Sequence, residues 1–116
     1  MLDGRLVDSC ILAVGAVEGS RIETIEGIRD TERGKRLVER FAVDGSVQCG
    51  FCIPGMIVAA DALLRENPRP TDHEIREGIS GNLCRCTGYD AVVKAVSNAS
   101  KELASDGAGR DIEAAS

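Results

Sequence analysis

Val47-Gln48-Cys49-Gly50-Phe51-Cys52-Ile53-Pro54-Gly55-Met56 lies near the middle of this 116-residue chain, and Ser80-Gly81-Asn82-Leu83-Cys84-Arg85-Cys86-Thr87-Gly88-Tyr89 answers it further on. Four of the five cysteines fall in these stretches, as a C-x-x-C pair and a C-x-C pair with 31 residues between them. In an extended segment residues i and i+2 point to one side, so Cys84 and Cys86 can present both sulfurs to a single object. A C-x-x-C turn does the same by curling the chain over one centre. Two such pincers facing each other gather four thiolates, a donor set for either a tetrahedral zinc ion or an iron-sulfur cluster.

Spacing weighs these possibilities without closing them. Zinc sites prefer two to four residues between paired ligands, and the C-x-C half departs from that. A 2Fe-2S core spans two irons and accepts unevenly spaced thiolates. A thioredoxin-type dithiol at Cys49 and Cys52 would need a βαβ setting, which the sequence does not offer. A disulfide framework is disfavoured by the odd cysteine count and by the lack of a signal-like segment ahead of the cysteines. A structural zinc-binding interaction domain using the same four cysteines therefore stays as the alternative to a 2Fe-2S site.

The two stretches closely resemble the paired motifs of the iron-sulfur small subunit of molybdenum hydroxylases, the xanthine dehydrogenase, aldehyde oxidoreductase and aerobic carbon monoxide dehydrogenase family. Cysteine order, spacing, and the flanking Pro-Gly and Thr-Gly-Tyr all match, and the likeness runs from about Met1 to about Leu103. The resemblance implies one 2Fe-2S cluster on Cys49, Cys52, Cys84 and Cys86. It implies that Gln48 and Cys86 contact a molybdopterin cofactor held by a large partner subunit. It also implies that electrons pass on toward a FAD-binding medium subunit or another acceptor. In that family a second cluster sits in a plant-ferredoxin-like domain with a C-x4-C-x2-C run and a distant fourth cysteine. Leu2-Asp3-Gly4-Arg5-Leu6-Val7-Asp8-Ser9-Cys10 resembles the last piece of that domain, with Asp3-Gly4 as a hairpin turn. The expectation is a small subunit truncated at its N-terminus, in which Cys10 is a small buried hydrophobe unless another chain completes its site.

The fold class that follows is mainly α: a four-helix 2Fe-2S-binding domain over 32–104, preceded over 1–28 by a short β remnant of the ferredoxin-like domain, with a disordered tail over 105–116. Strands are expected at Leu2–Val7, Cys10–Val14 and Arg21–Ile25, loosely ordered or paired with another chain because their edges lack partners. From Glu32 the periodicity becomes helical. Leu37, Val38, Phe41 and Ala42 form one stripe ending at Asp44-Gly45. A second helix starts at Pro54, carries Ile57, Ala60 and Leu64, and stops before Asn67-Pro68. Thr71, with Glu74 three residues on, caps a third that ends near Gly78 to Ser80. The fourth begins by Tyr89 and carries Val92, Val93, Val96, Ala99 and Leu103 on one face.

Composition narrows the function. A net charge of −5 disfavours nucleic acid, and Arg33-Gly34-Lys35-Arg36 reads as a solvated helix start. No apolar run is long enough to span a membrane, and a cytoplasmic location is expected. Both cysteine pairs precede helix starts, whose free N–H groups and positive dipole ends suit a cluster of formal charge about −2 oxidised and about −3 reduced. Gly50, Gly55, Gly81 and Gly88 are expected to let backbone approach the sulfurs. Arg85 reads equally as a source of positive charge or a surface ion pair, and His73 as an exposed residue in a first helical turn. The expected role is electron transfer within a multi-subunit oxidoreductase, with no substrate chemistry on this chain.

Overall fold

The computed structural model describes residues 1–105. Among them five α-helices form: α1 Ile25–Ile28, α2 Glu32–Val43, α3 Ile53–Glu66, α4 Asp72–Gly78 and α5 Asp90–Ser105. The last four are those expected from periodicity. Thr71 caps α4 by accepting from the Glu74 N–H at 3.2 Å, and Thr31 caps α2 in the same way from Gly34 at 3.0 Å. The second cap has glycine where a capping box would carry Glu or Gln, so it lacks that signature in the sequence.

Packing runs through α2, which lies on both α5 and α3, while α4 lies on α5 and α3 and α1 on α3. Ile28, Leu37, Phe41, Met56, Ala60, Leu64, Ile75, Val92, Val96 and Ala99 make the core, each nearly inaccessible to water. Burying a large apolar side chain contributes roughly 1.5–3 kcal/mol, so this shared interior is what holds the helices together. The inward stripe of α2 is Arg33, Gly34, Leu37 and Phe41; Val38 and Ala42 are exposed, contrary to the expectation from periodicity.

Two features explain that rotation. Gly34 lies so close to the end of α1 that an added Cβ would sit 1.8 Å from the Ile28 carbonyl oxygen, a space only glycine can occupy. Arg33, expected to be solvated, is buried, and its Nε donates to Asp61 of α3 at 2.6 Å. Asp61 also accepts from Arg65 Nε at 3.0 Å, and Arg65 reaches Glu23 at 3.0 Å. An ionic chain, buried at Arg33 and Asp61 and partly buried at Arg65 and Glu23, thus joins α2, α3 and the segment before α1.

The expected β remnant does not form. Residues 1–24 contain isolated bridges from Leu2 to Arg5 and to Ile22, together with 3₁₀ turns at Ser9–Ile11 and Val14–Val17. Ile25–Ile28, whose first residue falls at the end of an expected strand, is a helical turn that buries Ile28. The Asp3-Gly4 turn is present, with both residues at positive φ and Leu2 and Arg5 exchanging hydrogen bonds at 2.8 and 2.9 Å. Beyond these bridges no extended segment among the described residues lies alongside to continue a ladder, so pairing stops after single residues. The segment is nevertheless tethered, through Met1 to Glu23 at 2.6 Å, Asp3 to Arg21 at 2.8 Å, and the Glu23–Arg65 pair. Cys10 lies exposed on the first 3₁₀ turn, not buried as expected, because that turn buries none of its residues. The tail expected to be disordered lies outside the described residues, except Ser105, which ends α5.

Candidate metal centre

The C-x-x-C stretch closes the loop between α2 and α3, and its second cysteine is the N-cap residue of α3. Gly50 supplies the bend, with φ at +86°, and Pro54 occupies the first turn of the helix. The C-x-C stretch lies in the loop between α4 and α5. The two loops lock together where Asn82 packs on Gly55, since a Cβ at Gly55 would stand 2.7 Å from the Asn82 side-chain oxygen. Gly55 therefore serves the loop-to-loop contact and not the approach to sulfur that its position suggested, and Gly81 has open space where a Cβ would be.

Cys49, Cys52, Cys84 and Cys86 line one open cleft of about 440 Å³, together with Phe51, Leu83, Arg85 and Tyr89. The sulfurs pair across the two loops. Cys49 lies against Cys86, and Cys52 against Cys84. The first pair is exposed and the second half-buried. All five cysteines are free thiols. Among the described residues no three His, Cys, Asp or Glu side chains crowd around the position of a single metal ion.

The four sulfurs are chemically unequal. Cys84 is brought down to about 7 by hydrogen bonds from the Thr87 hydroxyl, the Thr87 N–H and the Cys86 N–H. Burial pushes Cys52 up to about 11, helped by neighbouring Cys84. The Phe51 N–H lowers Cys49, whereas neighbouring Cys49 raises Cys86. Each cross-loop pair thus sets one sulfur whose pKa is lowered against one whose pKa is raised.

Gln48 is exposed beside Cys49, and Arg85 is exposed on the cleft wall. His73 is exposed on α4 opposite Glu77 at 3.3 Å, as its place in a first turn suggested. Helix dipoles act less evenly than the sequence implied. Cys52 stands at the start of α3, but α5 begins four residues after Cys86, at Asp90. Phe51 and Leu83 were not singled out by sequence, yet they are 94% and 84% exposed beside the sulfurs. An exposed aromatic between two paired cysteines was the available signal.

A sequence profile described as a 2Fe-2S binding domain matches residues 24–97. The chain belongs to that family. The chain is 42% identical over 103 residues to a probable xanthine dehydrogenase subunit of Bacillus subtilis, covering 89% of this chain and 59% of that one. It is 46% identical over 96 residues to the nicotinate dehydrogenase small FeS subunit of Eubacterium barkeri, covering 83% and 61%. The chain therefore spans about three fifths of the length of these curated relatives. Among solved structures, quinoline 2-oxidoreductase of Pseudomonas putida superposes with a TM-score of 0.82 at 42% identity, over 92% of this chain and 67% of that one. Aldehyde oxidoreductase of Desulfovibrio gigas gives 0.84 at 37% identity, over 97% and 13%. These relatives are oxidoreductases of the molybdenum hydroxylase group that the two motifs resemble. Among the described residues no helix is long and apolar enough to cross a membrane.

Proposed function

We propose that the chain holds one 2Fe-2S cluster on Cys49, Cys52, Cys84 and Cys86 and carries electrons within a multi-subunit oxidoreductase of the molybdenum hydroxylase type. The observation that carries this reading is the cross-loop pairing of Cys49 with Cys86 and of Cys52 with Cys84, two separate sulfur pairs in one cleft. Two sulfur pairs in one cleft suit a two-iron cluster, which these four residues would hold, better than one tetrahedral ion drawing four sulfurs to a point. When bound, such a cluster supplies one-electron redox chemistry, and this chain has no part in substrate chemistry.

The chain's own residues do the rest. Cys52 and Cys84, half-buried, form the inner side of the site, and exposed Cys49 and Cys86 form its outer edge. Gln48 and Cys86 are both exposed at that edge, which suits contact with a molybdopterin cofactor held by a large partner subunit. Exposed Phe51 and Leu83 give that partner an apolar surface beside the site, where burial would exclude water from the electron path. Onward transfer would go to a FAD-binding subunit or another acceptor. The five unpaired cysteines fit a reducing compartment such as the cytoplasm.

The test is the iron, acid-labile sulfide and zinc content of anaerobically purified protein, with its spectrum before and after dithionite. About two irons and two sulfides, with absorbance that bleaches on reduction, are expected. One zinc and no colour would establish the zinc-binding interaction domain instead. Co-purification with a molybdenum-containing subunit, weakened by Phe51→Glu at unchanged iron content, would identify the partner face.

A further inference from the structure

Cys84 is gripped more closely than its three companions, and the grip comes from the three residues after Cys86. Its backbone N–H donates to the Tyr89 hydroxyl at 2.8 Å. Its Sγ accepts from the Thr87 hydroxyl at 3.1 Å and from the Thr87 N–H at 3.4 Å. The Thr87 oxygen in turn accepts from the Tyr89 N–H at 3.2 Å. A hydroxyl has one proton, and with a lone pair engaged by Tyr89 that proton is left to the sulfur. Among the described residues, Thr87 is the one side chain whose hydroxyl donates to a cysteine of this cleft.

Backbone geometry shows that this arrangement is maintained at a cost. Tyr89 has φ at +75°, a left-handed conformation that a bulky residue rarely takes. It is held there because the ring packs on the core, its carbonyl accepts from Val93 at the start of α5, and its hydroxyl meets Cys84. In that conformation its N–H points back to Thr87. Strain of this kind persists where the surroundings over-determine it, commonly at functional sites.

We propose that Thr87 is a positioning residue that sets the reduction potential of the bound cluster, by donating its hydroxyl proton to the Sγ of Cys84 while the left-handed Tyr89 aims it. Adding an electron to the cluster makes its cysteine sulfurs more negative, so a donor to sulfur stabilises the reduced form more than the oxidised one and raises the potential. The effect is directed at the Cys52–Cys84 side, since the exposed Cys49–Cys86 edge has no such side-chain donor among the described residues. This inference rests on the cluster reading above.

The experiment is an EPR-monitored redox titration of the iron-loaded protein in its native complex, comparing wild type with Thr87→Val, Thr87→Ala and Thr87→Ser. Valine keeps the shape and loses the donor, and serine keeps the donor. The expected result is a potential lowered in the valine and alanine variants by at least a tenfold change in the reduction equilibrium, about 59 mV for one electron. The serine variant should stay near wild type, and iron content should be equal throughout. Equal potentials in wild type and either donor-less variant would overturn the assignment. So would loss of iron from both of those variants while serine retains it, because the hydroxyl would then be needed to hold the ligand and not to tune it. Wild-type protein that carries zinc and no iron would instead refute the cluster reading, a failure visible before any variant is compared.

Discussion

Replacing Asp61 by alanine should unfold this domain far more readily than its single lost carboxylate suggests. Asp61 is fully buried and accepts from two guanidinium groups, Arg33 at 2.6 Å and Arg65 at 3.0 Å. Arg65 keeps Glu23 as a partner, but Arg33 is only 4% exposed and depends on Asp61 for its ion pair. Removing one partner of a buried ion pair costs about 3–5 kcal/mol because a charge is left desolvated and unpaired. A domain of this size is stable by about 5–15 kcal/mol, so about a fifth or more of that would go. At about 4 °C per kcal/mol, the lower end for small domains, the melting temperature should fall by about 12 °C or more. The assay is urea and thermal unfolding followed by far-UV circular dichroism, at matched iron content, with the denaturant slope checked for constancy. Replacing both charges with apolar residues, Arg33→Met with Asp61→Leu, should recover most of the loss, since no stranded charge remains. A single-variant loss under about 1 kcal/mol, or a double variant no better than the single one, would refute the reasoning.

Gly34→Ala should also destabilise strongly, by about 1–3 kcal/mol or more in denaturant unfolding, because its Cβ would meet the Ile28 carbonyl oxygen at 1.8 Å and α1 would have to move off α2. Glu23 is held below the usual carboxylate range, chiefly by the hydrogen bond from Arg65. Its contribution is therefore complete above its unfolded value of about 4.3 and fades as pH falls through the lower folded value. Glu23→Gln should be less stable than wild type at pH 7, with the gap closing as pH falls through that lowered folded value; a gap independent of pH in urea titrations would contradict this. Serine at Cys49, Cys52, Cys84 or Cys86 should each abolish or strongly reduce iron retention, whereas Cys10→Ser, on an exposed turn apart from the cleft, should leave iron content and spectrum unchanged.

The four long helices are legible along the chain because their signals are local. Thr71 and Glu74, Pro54, Asn67-Pro68 and the spacing of Val92, Val93, Val96, Ala99 and Leu103 act within one or two turns. The grouping of the cysteines is legible for a similar reason, since two short-range pairs restrict where each sulfur can point. The β remnant failed because a strand is defined by its neighbour, and alternation around Arg21–Ile25 carries no information on whether a neighbour is present. The stripe of α2 differs from expectation because periodicity sorts residues by polarity. Arg33, which is polar but buried by a partner 28 positions away, breaks that sorting.

What the sequence by itself determined is the candidate donor set, the helix limits and the order of the two cysteine loops, each encoded by residues close together along the chain. Tertiary structure alone decided which sulfur faces which, that Cys49 meets Cys86 while Cys52 meets Cys84, and which pair is exposed. It also decided that Asp61 gathers Arg33 and Arg65 and that the strained Tyr89 turns toward Cys84. Those outcomes depend on how α3 and α5 are docked through their shared core, and contacts between distant segments exist only once that core has closed.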